Sequence, residues 1–129
     1  MCGVAGIFAY HPAANSIDRD ELITIRDAMF ARGPDGAGAW FEGGERLGLA
    51  HRRLSIIDLS ERAAQPMHSQ CGRFHVTFNG EIYNFPEIRT RLEAQGRRFQ
   101  SNSDTEVLLH LYELKGEAMA ADLRGMFAF

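Results

Sequence analysis

The chain enters an apolar run almost at its first residue. Residues 4–10 are short, apolar and closed off by His11-Pro12, the pattern of a buried strand. Asp18 with Glu21 three positions on makes a capping box, and Leu22, Ile25 and Met29 follow at helical spacing. That helix should stop before Arg32-Gly33-Pro34-Asp35-Gly36, which is turn chemistry. Strand-like runs follow at residues 37–41 and 47–54, and residues 73–79 alternate. Phe74, Val76 and Phe78 fall on one face of that last run, with His75 and Thr77 on the other. Pro86 near the start and Gly96 just past the end bracket residues 87–95 as a helix. Ser103 and Glu106 form a second capping box, opening a helix through Leu108, Leu109, Leu111 and Tyr112. Strands come first with helices interspersed, so the expected class is α+β, in one domain over residues 1–129. At 45% hydrophobic residues, a chain of this length can bury a true core.

Composition narrows the function classes. A formal charge of −3 supplies no basic field for nucleic acid or an anionic membrane. No Lys or Arg precedes the first apolar run, which is also too short for a signal peptide or a membrane span. Met1-Cys2-Gly3 lacks the Gly directly after Met that myristoylation needs. Cys2 and Cys71 lie far apart and form no disulfide framework, so a reduced, cytoplasmic setting is expected. Residues 123–129 stop inside an apolar, strand-like run, whereas termini are usually solvated. The expectation is a chain cut from something longer.

Cys2 is the most informative position for chemistry. Initiator methionine is commonly removed ahead of a small residue, which would leave a thiol and a free α-amine on one residue. An α-amine titrates near ~7.7–8.0 and a thiol near ~8.5, so the amine can act as base around neutral pH. That is the N-terminal-nucleophile arrangement. Cys2 reads equally as a small buried hydrophobe at the start of a strand. Asn79-Gly80 after an alternating strand is the commonest type I′ hairpin signal, yet Phe85-Pro86 follows almost at once and leaves little second strand. The other reading makes the Asn79 amide and the Gly80 N–H two donors for a developing oxyanion. Arg52 and Arg53 are consecutive in a strand-like run, so one should be solvated and the other turned inward. The inward guanidinium needs an anion, either a structural partner or a substrate carboxylate. Asp104 in the first turn of a capped helix suits the helix dipole, and Glu81 reads as a solvated loop acid unless an ammonium comes near. His68, Cys71 and His75 match no zinc spacing, so no metal is expected. No phosphate-cradling glycine loop is present.

Six blocks taken together resemble the glutaminase domain of class II glutamine amidotransferases. They are Met1-Cys2-Gly3-Val4-Ala5-Gly6-Ile7-Phe8, Arg32-Gly33-Pro34-Asp35-Gly36, His51-Arg52-Arg53-Leu54-Ser55-Ile56-Ile57-Asp58 followed by Gln65-Pro66, Asn79-Gly80-Glu81-Ile82-Tyr83-Asn84, Ser103-Asp104-Thr105-Glu106, and Leu123-Arg124-Gly125-Met126-Phe127-Ala128-Phe129. The wording of the arginine and Asn-Gly blocks is similar to that of the asparagine synthetase branch. The resemblance implies an αββα sandwich of the N-terminal-nucleophile hydrolases, here truncated. It implies that Cys2 forms a thioester with L-glutamine and releases ammonia, with Asn79 and Gly80 as the oxyanion hole. Arg53 would clamp the substrate α-carboxylate, with Arg52 as its outward neighbour. Asp104 and Glu81 would hold the α-ammonium, and backbone around Leu54, Ile56 and Ile57 would complete the pocket. No cofactor is expected for this step. ATP and Mg are expected only in a C-terminal synthetase domain, the implied partner that makes asparagine from aspartate; a homodimer is left open. Ala31 departs from a common family histidine ahead of the turn, at a position with no assigned chemistry. Two other readings stay open: a catalytically silent domain that binds glutamine or partners, and an amidotransferase with a different acceptor. Either way, Cys2 can work only once Met1 is gone.

Overall fold

The computed structural model describes residues 2–129, so the fate of Met1 lies outside the described residues. Along the chain run β1 (Gly3–Phe8), α1 (Arg19–Ala28), β2 (Gly36–Phe41), β3 (Leu47–Arg53), β4 (Met67–His68), β5 (His75–Val76), β6 (Asn79–Ile82), α2 (Phe85–Ala94), α3 (Thr105–Lys115) and β7 (Gly125–Ala128). All strand pairings are antiparallel: β1-β3-β2, β4-β5 and β6-β7. Helices and small antiparallel sheets are thus mixed along the chain, as the α+β expectation required.

Local signals account for most of the helix starts. Asp18 caps α1, accepting from the Asp20 and Glu21 N–H groups at 2.9 and 3.2 Å. Leu22 from this helix is fully buried against the three-stranded sheet, its side chain over Gly48 of β3. Ser103 likewise accepts from the Thr105 N–H at 3.2 Å. The second half of that box does not form. Glu106 turns instead to the Gln100 and Ser101 N–H groups, each at 2.8 Å. Burial pushes the Glu106 carboxyl up, but these donors, the Ser101 hydroxyl and His110 outweigh it and hold it at about 2.

The larger core collects Met67, Val76, Phe78, Ile82, Ile88, Leu92, Val107, Leu108, Leu109, Leu111 and Met119. Residues 105–111 of α3 are buried without a break, so this helix runs through the interior and not along a face.

Two strand expectations are corrected. β1 is an edge strand, because β3 takes the centre of the sheet; it is mostly half-buried, and Phe8 is 65% exposed. Tyr10, expected in the same strand, lies beyond its end and is exposed. Of the alternating run only His75–Val76, and Asn79 as the first residue of β6, enter a ladder. Phe74, Val76 and Phe78 do pack at the core, but Thr77 is buried too, its hydroxyl donating to the Ala50 carbonyl at 3.2 Å. A segment covered on both faces has no solvated side, and here it does not form a regular ladder. Asn79-Gly80 is then no hairpin turn. It opens β6, which pairs with β7 in the register Asn79 to Ala128 and Gly80 to Phe127. A Cβ on Gly80 would stand 2.3 Å from the Met126 carbonyl oxygen, so the close approach of these strands requires glycine there.

Candidate active site

The sheet register brings Cys2 to the end of β3. Gly3 pairs with Arg52, so the register carried one residue further sets Cys2 opposite Arg53, from where its side chain reaches Leu54. The Leu54 N–H donates to the Cys2 sulfur at 3.4 Å, and the thiol lies 3.7 Å from the Leu54 carbonyl oxygen. Arg32 Nε holds the Cys2 carbonyl at 3.2 Å from the opposite side. The turn carrying Arg32 is fastened to β3 in turn. Asp35 donates its N–H to the Arg53 carbonyl at 2.9 Å, and its carboxylate accepts from the Ser55 N–H at 2.8 Å. Gly33 passes so near β3 that a Cβ would meet the Arg52 carbonyl oxygen at 2.4 Å.

Two buried contacts fasten the approach to β6 onto β3. One is the Thr77 hydroxyl on the Ala50 carbonyl. The other is His51, 1% exposed, whose Nε2 lies 3.1 Å from the Phe78 carbonyl oxygen. A carbonyl only accepts, so Nε2 carries the proton. Nδ1 of the same ring is buried with no partner among the described residues. Burial is the main cause that drives the His51 pKa down to about 4, with the Arg53 charge adding and the Phe78 bond opposing. His51 is therefore a neutral strut behind Asn79.

Cys2, Arg53, Leu54, Ile56, Ile57, Asn79, Gly80, Glu81 and Asp104 all line one cleft of about 200 Å³. That is below the ~300 Å³ at which pockets for drug-sized ligands begin, and it suits an amino-acid-sized molecule. Ile56 and Ile57 are exposed at its rim, leaving their backbone the part within reach. Arg53 is half-buried, and its guanidinium rests on two carbonyls, Ser60 at 2.9 Å and Asp58. Its remaining donors are available to a ligand.

Arg52 is corrected: it does not face outward. It is 8% exposed, donates to the Gly33 carbonyl at 3.0 Å, lies 3.7 Å from Asp27, and stacks over Phe30. Both arginines are thus occupied, one by structure and one at the cleft.

Asp104 is 4% exposed and accepts from the Ile82 N–H at 3.0 Å. Its pKa is raised, chiefly by burial and further by the charge of Glu81, while the Ile82 bond opposes the rise. Two carboxylates that repel each other at one end of a cleft make a seat for a cation. His68, Cys71 and His75 are not gathered with it, and no group of three metal-ligating side chains occurs among the described residues.

The sequence left two contributors without a role. Gln65, 9% exposed, accepts from the Phe78 N–H at 2.6 Å and donates to the Thr105 hydroxyl at 3.3 Å, bracing the cleft floor between Asn79 and Asp104. Asp58 bridges two cleft loops. Both stand inside the arginine block, and that position was the only available signal.

A family model, glutamine amidotransferase domain, matches residues 1–129. Glutamine-hydrolysing asparagine synthetase 1 of Bacillus subtilis is 47% identical, aligned over 100% of this chain and 20% of that protein. The amidase chry2 of Gibberella zeae is 38% identical over 100% of this chain and 20% of its own length. Asparagine synthetase B of Escherichia coli is 38% identical over 100% of this chain and 22% of its own. The chain spans about a fifth of the length of these relatives.

Proposed function

Because this chain belongs to the glutamine amidotransferase domain family, we propose that it hydrolyses L-glutamine through a thioester on Cys2. The observation that carries this reading is one small cleft holding a thiol, a guanidinium, the buried Asp104 carboxylate and the exposed Glu81 carboxylate at its rim. Arg53 takes the α-carboxylate, while Asp104 and Glu81 take the α-ammonium. Backbone around Leu54, Ile56 and Ile57 closes over the side chain and leaves its carboxamide beside Cys2. With Met1 removed, the Cys2 α-amine accepts the thiol proton as sulfur bonds to the carboxamide carbon. Asn79 and the Gly80 N–H hold the oxyanion, a contribution of about 10²–10³ in rate per donor. Collapse breaks the C–N bond, and the stored proton leaves with ammonia. Water then adds to the thioester, returning the thiol and releasing glutamate.

The finer architecture we propose is the αββα sandwich of N-terminal-nucleophile hydrolases, supported by α1 on the three-stranded sheet and by α2 and α3 against the larger core. In the longer protein, ammonia would pass to a synthetase domain that makes asparagine, the product in the names of two relatives, and aspartate, ATP and Mg would be that domain's requirements. The amidase among the relatives favours a second reading on one point, a different ammonia acceptor with the same glutaminase chemistry.

A glutamine-shaped electrophile should add its mass to Cys2, and Cys2→Ala should abolish glutamine hydrolysis without changing the unfolding midpoint. Adduct at Cys71 alone overturns the assignment. Glutamine binding with no turnover points to a silent domain, and N-terminal sequencing then tells whether Met1 is the reason.

A further inference from the structure

Asp58 belongs to neither end of the amino-acid clamp, yet it ties the loop at one end to the loop leading into the other. Its Oδ2 accepts from the Asn102 N–H at 2.7 Å, and its Oδ1 accepts from the Ser60 N–H at 2.8 Å. Its own carbonyl oxygen accepts from Arg53 Nη2, next to the Ser60 carbonyl that takes Arg53 Nη1. Asn102 stands two residues ahead of Asp104. One carboxylate therefore fastens the loop that cradles the guanidinium onto the loop that leads into the buried acid.

Those loops are 44 residues apart in sequence, and surface loops otherwise drift independently. An α-amino acid places its carboxylate and ammonium on one carbon, so its two receptors must hold their spacing to within about 0.5 Å. Charge-assisted bonds to two backbone N–H groups are strong enough to do this. The Asn102 and Ser60 donors also hold the Asp58 carboxyl below its ordinary value, so it is ionised at neutral pH.

We propose that Asp58 is a positioning residue that sets the distance between the Arg53 guanidinium and the Asp104–Glu81 carboxylates, and thereby the preference for a free α-carboxylate. This rests on the clamp reading above. The variants Asp58→Asn and Asp58→Ala test it on two substrates, L-glutamine and its α-amide, L-glutaminamide. In Asp58→Asn the KM for L-glutamine should rise about tenfold with kcat within about twofold, the loss expected of one charge-assisted hydrogen bond. The wild-type preference for L-glutamine over the α-amide should fall by a similar factor, and further in Asp58→Ala. Cys2 alkylation by iodoacetamide, which needs no clamp, should keep its rate. If the variants lose both substrates equally, or keep the full preference, the latch is wrong and Asp58 is merely structural. A wild-type protein that does not discriminate between the substrates overturns the clamp itself. Should Asp58→Ala unfold, Asp58→Asn still carries the test, because its amide keeps one acceptor oxygen.

Discussion

Replacing His51 by glutamine removes a titrating group while keeping its donor. The glutamine amide can reach the Phe78 carbonyl as Nε2 does, so the strut behind Asn79 stays in place. What changes is the response to acid. The folded-state pKa is about 4 against 6.5 for a free imidazole, so below 6.5 the unfolded chain binds a proton that the folded chain refuses. Stability from this site is therefore complete above pH 6.5, falls as pH drops, and is fully lost below about 4. Linkage across that gap gives roughly 3 kcal/mol in total, and about 2 kcal/mol of it is lost between pH 7 and pH 5. In urea, with a slope of ~1–3 kcal/mol per molar, the wild-type midpoint should fall by about 1 M more than that of the variant over the same interval. Other groups titrate alike in both proteins and cancel in the difference. Equal midpoint losses in the two proteins would refute the claim that His51 is buried and neutral.

Asp104→Asn keeps an acceptor for the Ile82 N–H but removes the charge, so KM for glutamine should rise about tenfold or more while kcat changes less. Because burial raises the Asp104 pKa, acid should begin to weaken glutamine binding above the usual carboxylate range, and the variant should show no such rise in KM. Without ligand the sign reverses for folding: the ionised acid costs stability as pH climbs through its raised pKa, and bound ammonium should relieve that cost. Leu108→Ala in the buried helix α3 should cost about 2–5 kcal/mol in urea unfolding, since the surrounding core cannot close fully over the cavity.

The cleft residues lie in short sequence words, and that is why the amino-acid order alone nominates them. Cys2, Arg53, Asn79, Gly80, Glu81 and Asp104 each sit in or beside a block of four to eight residues. Strand alternation also puts Arg52 and Arg53 on opposite faces, but alternation cannot say what covers each face. The burial of Arg52 comes from Phe30, Gly33 and Asp27, all about twenty residues away. Glu106 departs from its expected role for a related reason. A capping box is a local rule, and the free N–H groups of Gln100 and Ser101 compete for the same carboxylate. Thr77 breaks a clean period-two pattern because β3 offers it a carbonyl. In each case the deciding partner comes from another part of the chain.

Met126 lines the same cleft as Cys2, and among the described residues β7 is the sole partner of β6, on which Asn79 and Gly80 lie. At translation speeds of about 5–20 residues per second, Cys2 is made on the order of ten seconds before Met126. Throughout that interval the thiol precedes the strand that fastens Asn79 and Gly80. The nascent N-terminus is thus available for processing before the cleft can close, and competence waits for Met126 to be made. A variant that weakens the β6–β7 pairing should accordingly lengthen the lag before activity first appears on the ribosome, even where the finished protein is as active as the wild type.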